Sequence, residues 1–282
     1  MKILSYRHQG KDTYGVLAGD GVCDVGRRIG DRYPDLGAVL AAGALAEIAT
    51  AADGQSADAG LDDITYLPVL AKPDKILMVG LNYRDHQAET KHGDTDHPSI
   101  FIRYPDSQVG HRQPMISPTA SDHFDYEGEL AVIIGTGGRH ISEQDALGHV
   151  AGYSCYNDGS IRDFQRHTTQ WAPGKNFVGT GAFGPWMVTA DEIPDPQTLT
   201  LITRLNGEEM QHSTTDLMIF QVAELINYCS TFCNLVAGDV IVSGTPGGVG
   251  FARTPPVYMK AGDTVEIDIS NIGVLANRIE DE

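Results

Sequence analysis

The run Leu130-Ala131-Val132-Ile133-Ile134, closed by Gly135, constrains this chain more than any other stretch. It is short and rich in β-branched side chains, so it reads as a buried strand rather than a helix. Two carboxylates stand at its mouth, in the sequence DYEGELAVIIG of residues 125–135. If the strand begins by Tyr126, its period of two sends Glu127 and Glu129 to one face, and Gly128 between them leaves room for a close approach. Like charges buried side by side are costly unless a cation or a shared proton offsets their repulsion. The pair is therefore either a solvated strand end or part of a metal or acid/base site.

The text around this strand sets the fold class. LAVIIG, FGPWMVTADEI, LTLITRLNGEEM, DVIVSGTPGGVG and DTVEIDISNIG read as strands with glycine turns, and Asn206-Gly207 marks a hairpin. Helical spacing is expected over 143–149, 161–167 and Asp216 to Phe232. Ahead of these, residues 1–25 alternate as short strands, Asp35 to Thr50 has helical spacing, and 51–62 is small, polar and acidic, as in a loop. The expectation is an α+β, mainly β protein, with a small N-terminal α/β domain over 1–70 and a larger domain over 71–282 built as a β-roll or β-sandwich. GTGAFG at 179–184 matches the dinucleotide-binding pattern, but the strand-like Pro185-Trp186-Met187-Val188 follows where that pattern needs a helix.

Charge narrows the partners. Lysine and arginine number 20 against 38 acids, a formal charge of −18, which repels a nucleic-acid backbone and an anionic membrane surface. The N-terminus MKILSY carries no apolar signal, and no run of about 18 apolar residues occurs, so a cytoplasmic location is expected. Cys23, Cys155, Cys229 and Cys233 form no C-x-x-C pair and are expected to be reduced thiols.

Three further places are polar where structure alone does not require it. In VGLNYRDHQAET (79–90), a helical turn would put His86 and Glu89 on one side, where the carboxylate can orient the imidazole as a base for water; a surface His beside a surface Glu fits the spacing as well. In 152–177, Asp158 follows an apolar run, and with Glu127 and Glu129 it would supply the hard oxygen ligands that Mg²⁺ or Mn²⁺ prefers. Lys175 there can balance an anionic substrate or an enolate. In VSGTPGGVG (242–250), backbone N–H groups and the Thr245 hydroxyl suit a carboxylate, and a plain tight turn fits equally.

NYRDHQAE, FDYEGELAVIIG, GYSCYNDGSIRDFQ, PGKNF and SGTPGGVG, in this order and spacing, resemble the fumarylacetoacetate hydrolase family over roughly residues 72 to 282. The resemblance implies a mixed β-roll, usually a homodimer, with Mg²⁺ or Mn²⁺ on Glu127, Glu129 and Asp158 and a water-activating dyad of His86 and Glu89. It also implies that Lys175, Arg162, Gln165 and Thr245 are substrate or supporting groups. Two positions depart from many relatives. Arg103 stands where a lysine is common and would offer a carboxylate-binding fork, and Gly159 would widen the pocket.

Hydrolysis of a carbon–carbon bond in a β-diketo acid is the expected reaction: an acylpyruvate, a fumarylacetoacetate-like compound or a 2,4-diketo-3-deoxy sugar acid. The alternatives are oxaloacetate decarboxylation, hydration or isomerisation of a 2-oxo-alkenoate, and a non-catalytic keto-acid binding protein. The His86–Glu89 spacing favours water chemistry.

Overall fold

The computed structural model describes every residue except 91, 92 and 94. Strand Gly128–Ile134 is buried along its whole length, and its neighbours account for that. Val150–Asn157 pairs with it on one side and Val240–Val242 on the other, both antiparallel. Its side chains alternate between two cores. Leu130, Val132 and Ile134 enter one that includes Leu201, Ile267 and Leu275 of a second sheet and Leu225 of helix Val222–Phe232. Ala131 and Ile133 enter the other, with Leu36, Val39 and Ile48 of two N-terminal helices. Each large aliphatic so buried contributes about 1.5–3 kcal/mol, enough in sum to hold this strand while its mouth carries acids.

The sheet has twelve strands. Its path runs outward from Gly128–Ile134 through Val240–Val242 and Ile76–Gly80 to the edge strand Ser99–Arg103. In the other direction it passes Val150–Asn157 and Gly181–Thr189, then continues into the N-terminal strands Lys2–His8, Lys11–Ala18 and Gly21–Asp24. A five-stranded sheet covers one face. Strands outnumber helices throughout, in keeping with the mainly β expectation, and neither sheet closes into a barrel. Residues 179–184 run into strand Gly181–Thr189 without a following helix. Among the described residues, no helix is long and apolar enough to cross a membrane.

Local chemistry sets the turns and breaks. Asn206 and Gly207 both have positive φ (53° and 82°), the geometry of a tight turn between Thr200–Leu205 and Glu208–Thr214. The expected N-terminal helical stretch is two helices, Leu36–Ala41 and Leu45–Ala52, because Gly43 turns left-handed at φ 63°. Helix 216–232 starts later than its spacing suggests, at Val222, behind a capping box of Gln221 and Glu224. The residues ahead of it are tied elsewhere: Ile219 N–H donates to the Asn82 carbonyl and Phe220 N–H to Asn82 Oδ1. Asn82 Nδ2 in turn donates to the carbonyls of Phe220 and Ser243. That clamp fixes the start of the short helix Arg84–Glu89, which carries His86 and Glu89.

Candidate functional site

Strand register, not sequence proximity, assembles the acids. Gly128 pairs with Asn157 and Glu129 with Tyr156. One step further, Asp158 N–H donates to the Glu127 carbonyl at 2.8 Å, which places the three side chains together at the same sheet end. Carboxylate oxygens of Glu127, Glu129 and Asp158 all lie within 4.8 Å of one another, and all three residues are buried. The strand begins at Gly128, later than the Tyr126 expected, so Glu127 lies just ahead of it; its carboxylate nevertheless lies beside that of Glu129.

The compensating charges come from three directions. Lys175 Nζ lies 2.6 Å from both Glu127 Oε2 and Asp158 Oδ2. Arg162 Nη1 lies 2.7 Å from Glu127 Oε1 and 2.9 Å from Gln165 Oε1. Arg103 Nη1 lies 2.6 Å from Asp158 Oδ1. Burial alone would push the Glu127 carboxyl up, but the guanidinium of Arg162 and the ammonium of Lys175 outweigh it and hold Glu127 well below the usual carboxylate range. Glu129 has no cation of its own among the described residues. It accepts one hydrogen bond, from Gly244 N–H at 2.7 Å. Burial, then Asp158 and Glu127, raise it well above an ordinary carboxyl.

A cavity of about 390 Å³ opens on these groups, lined by His86, Glu127, Glu129, Arg162, Lys175 and Phe251 among others. A larger groove of about 1150 Å³ lies between the N-terminal helices and the loop at 234–238. Small apolar side chains dominate it, whereas Glu127, Glu129, Arg162 and Lys175 line the smaller cavity. On the wall of that cavity His86 Nδ1 is 2.8 Å from Glu89 Oε1. The opposite oxygen of Glu89 accepts from Gly248 N–H at 2.9 Å.

The glycine turn at 242–250 therefore binds carboxylates, but they are the protein's own. Gly244 and Gly248 both need positive φ (97° and 102°), and their N–H groups hold Glu129 and Glu89. Thr245 differs from expectation. It lines the cavity, but its hydroxyl donates to the Gly128 carbonyl at 3.0 Å and accepts from Gln211 Nε2 at 2.8 Å, so it has no proton left for a substrate carboxylate.

A model of the fumarylacetoacetate hydrolase C-terminal region matches residues 75–280. The chain belongs to the fumarylacetoacetate hydrolase family. A mitochondrial oxaloacetate tautomerase of Bos taurus is 42% identical over 219 residues, covering 77% of this chain and 70% of that one. The solved structure of a fumarylacetoacetate hydrolase from psychrophilic Exiguobacterium antarcticum superposes with a TM-score of 0.84 at 34% identity, over the full length of both chains. A maleylpyruvate hydrolase from Sphingobium, in complex with manganese(II) and pyruvate, gives 0.83 at 25% identity over 100% of this chain and 99% of that one. Family membership makes this an enzyme of a group that spans hydrolases, isomerases and tautomerases.

Within that family, the acids of this chain suit a divalent cation on their own chemistry. All three are hard oxygen donors, and Glu129 is the one of the three with no cation in ion-pair range among the described residues. Arg103 corrects the sequence-based expectation. Its five N–H donors go to Asp158 Oδ1, the Gly159 carbonyl, Ser107 Oγ, the Ser107 carbonyl and Thr180 Oγ1, at 2.6–3.3 Å. The side chain is fully buried, so it holds Asp158 from behind and offers no fork to a substrate. Gly159 does not widen the cavity either. A Cβ there would overlap the Thr180 carbonyl and press on Phe124 and Met115, so glycine is required by packing.

Among the groups that shape the site, Asp125, behind the cavity wall, and Phe251 and Arg166, on it, escaped the sequence reading. Asp125 is buried and accepts from Arg162 Nε, Gly250 N–H and Phe251 N–H at 2.8–3.0 Å. Its signal was present, because Asp125, Glu127 and Glu129 alternate. Phe251 and Arg166 had none: their pairing joins segments far apart in the chain.

Proposed function

We propose that this chain hydrolyses the carbon–carbon bond of an acylpyruvate-type β-diketo acid, with Mg²⁺ or Mn²⁺ held by Glu127, Glu129 and Asp158. The observation that carries this reading is the His86–Glu89 pair at 2.8 Å, with His86 on the wall of the cavity that Glu127, Glu129 and Lys175 also line. When bound, the cation supplies Lewis-acid polarisation of the 2-oxo acid end of the substrate. Glu89 takes the Nδ1–H of His86, which leaves Nε2 as the basic nitrogen. Water gives its proton to that nitrogen and its oxygen to the distal carbonyl carbon. Scission of the carbon–carbon bond leaves the electron pair as the enolate of the 2-oxo acid, and His86 returns the proton to its carbon. The products are a carboxylic acid and a 2-oxo acid. Two donors of Lys175 are engaged by Glu127 and Asp158, and the third is available to the enolate oxygen.

The test is turnover of an acylpyruvate by Mn²⁺-loaded protein. His86→Ala should lower kcat by roughly 100-fold or more while Mn²⁺ still binds; wild-type turnover in this variant refutes the assignment of the base. A second reading, oxaloacetate tautomerisation, draws support from the Bos taurus relative. The same imidazole would then move a proton between carbon and enol oxygen without consuming water. Label from isotopic water appears in a released carboxylic acid only under the hydrolytic reading. The proposal includes a homodimer, which sedimentation checks.

A further inference from the structure

Not every cationic donor at the cavity is taken by one of the protein's own acids. Arg162 spends Nε on Asp125 and Nη1 on Glu127 and Gln165. Its remaining nitrogen, Nη2, is buried with no hydrogen-bond partner, although the residue lines the cavity. A buried guanidinium donor left unpaired is costly unless a ligand takes it. Four residues on, Arg166 lines the same cavity and is exposed, and among the described residues no carboxylate lies in ion-pair range of it. Both guanidinium carbons lie over the ring of Phe251, at 4.5 Å for Arg162 and 4.3 Å for Arg166. Phe251 is held in place by the carboxylate that also holds Arg162, since Asp125 accepts from Phe251 N–H at 3.0 Å and from Arg162 Nε at 2.9 Å. One buried acid thus fixes the ring and one of the cations stacked on it.

Two like charges gathered on one ring, without an anion of the protein between them, repel each other. An anionic group bridging them reverses the sign of that interaction and fills the empty donor of Arg162. We infer that Arg166, with Arg162 Nη2 and the Phe251 ring, forms a distal anion subsite that selects a 2-oxo acid bearing a second carboxylate. The inference rests on the proposed 2-oxo acid chemistry and adds the class of substrate and the residue that chooses it. Lys175 and the acidic triad serve the reacting end; Arg166 serves the far end.

The experiment compares binding of two ligands that differ only at that far end, 2-oxopentanedioate and 2-oxopentanoate, to Mn²⁺-loaded protein by calorimetry, with oxalate as a ligand for the reacting end alone. Wild-type protein should favour the diacid by about tenfold or more, as expected of a charge-assisted contact. In Arg166→Gln the ratio should fall towards one, and in Arg166→Lys it should lie between. Arg166 is exposed, so these variants do not endanger the core. Phe251→Leu, which removes the ring and keeps both cations, should also lower the ratio. Equal binding of the two ligands by wild-type protein, or an unchanged ratio in Arg166→Gln, overturns the subsite alone. Failure of oxalate and of both 2-oxo acids to bind overturns the 2-oxo acid reading, and the subsite falls with it.

Discussion

Replacing Arg103 by methionine separates two accounts of this residue. If its fork met the substrate, the variant would raise KM and leave stability unchanged. The structure points the other way. Arg103 is fully buried, pairs with Asp158 at 2.6 Å, and gives its remaining donors to Gly159, Ser107 and Thr180. Removing one partner of a buried ion pair costs about 3–5 kcal/mol, because the other charge stays buried. Lys175 still reaches Asp158 Oδ2 at 2.6 Å, which argues for the lower half of that range. At a few degrees per kcal/mol for a chain of this size, the melting temperature of metal-free protein should fall by about 10 °C. Asp158→Asn should recover part of the loss in the double variant, since it removes the charge that Arg103 neutralises. Arg103→Lys, which keeps the charge but not the fork, should fall between wild type and Arg103→Met. Mn²⁺ affinity should also weaken, by about 10–100-fold, as for other outer-shell changes at metal sites. A melting temperature within about 2 °C of wild type for Arg103→Met, with only KM raised, would refute this reasoning.

Glu129→Gln keeps an acceptor for Gly244 N–H and removes the charge that burial, Asp158 and Glu127 disfavour. Metal-free protein should melt at or above the wild-type temperature while Mn²⁺ affinity, read by titration, drops; unchanged affinity would exclude Glu129 as a ligand. Gly159→Ala should cost about 1–3 kcal/mol or more through overpacking against the Thr180 carbonyl, and a wild-type melting temperature would contradict the contact. His111 sets a pH dependence. Burial, then the Arg112 charge, lower it from 6.5 to about 4, and its Nδ1 already accepts from Ala276 N–H at 3.0 Å. The unfolded chain therefore binds a proton below about pH 6.5 that the folded protein takes only near pH 4, so stability falls as pH drops through that window, by at most about 3 kcal/mol. His111→Gln should flatten that part of the stability profile, and a profile identical to wild type would dismiss the histidine.

The mainly β architecture and the acids were readable because both follow local periods. The short β-branched run Leu130 to Ile134 marks the strand, and a two-residue spacing at its mouth brings Glu129 and, one residue ahead of the strand, Glu127 together. A spacing of three on the helix Arg84–Glu89 puts His86 against Glu89. The misplaced helix start at 216 shows where locality ends. Residues 219 and 220 have apolar side chains that suit a helix, but their backbone N–H groups are claimed by Asn82, well over a hundred residues away. Gly43 is the converse case, a single left-handed residue that divides one apparent helix into two.

What each polar side chain does with its donors was not readable, because that depends on distant partners. Arg103 and Asp158 are 55 positions apart, and Thr245 gives its proton to a carbonyl 117 positions away. In both cases the residue type suited a substrate carboxylate and the fold used it up. The same dependence on distant partners supports a cation. Asp125, Glu127, Glu129 and Asp158 are buried together with Arg103, Arg162 and Lys175, so the acids outnumber the cations by one. In a low-dielectric interior such an excess does not persist as bare charge: either Glu129 keeps a proton, as its raised pKa implies, or a cation replaces that proton. Proton release on Mn²⁺ binding, measured at a pH where free carboxyls are ionised, decides between an exchange at Glu129 and a site that never held the ion.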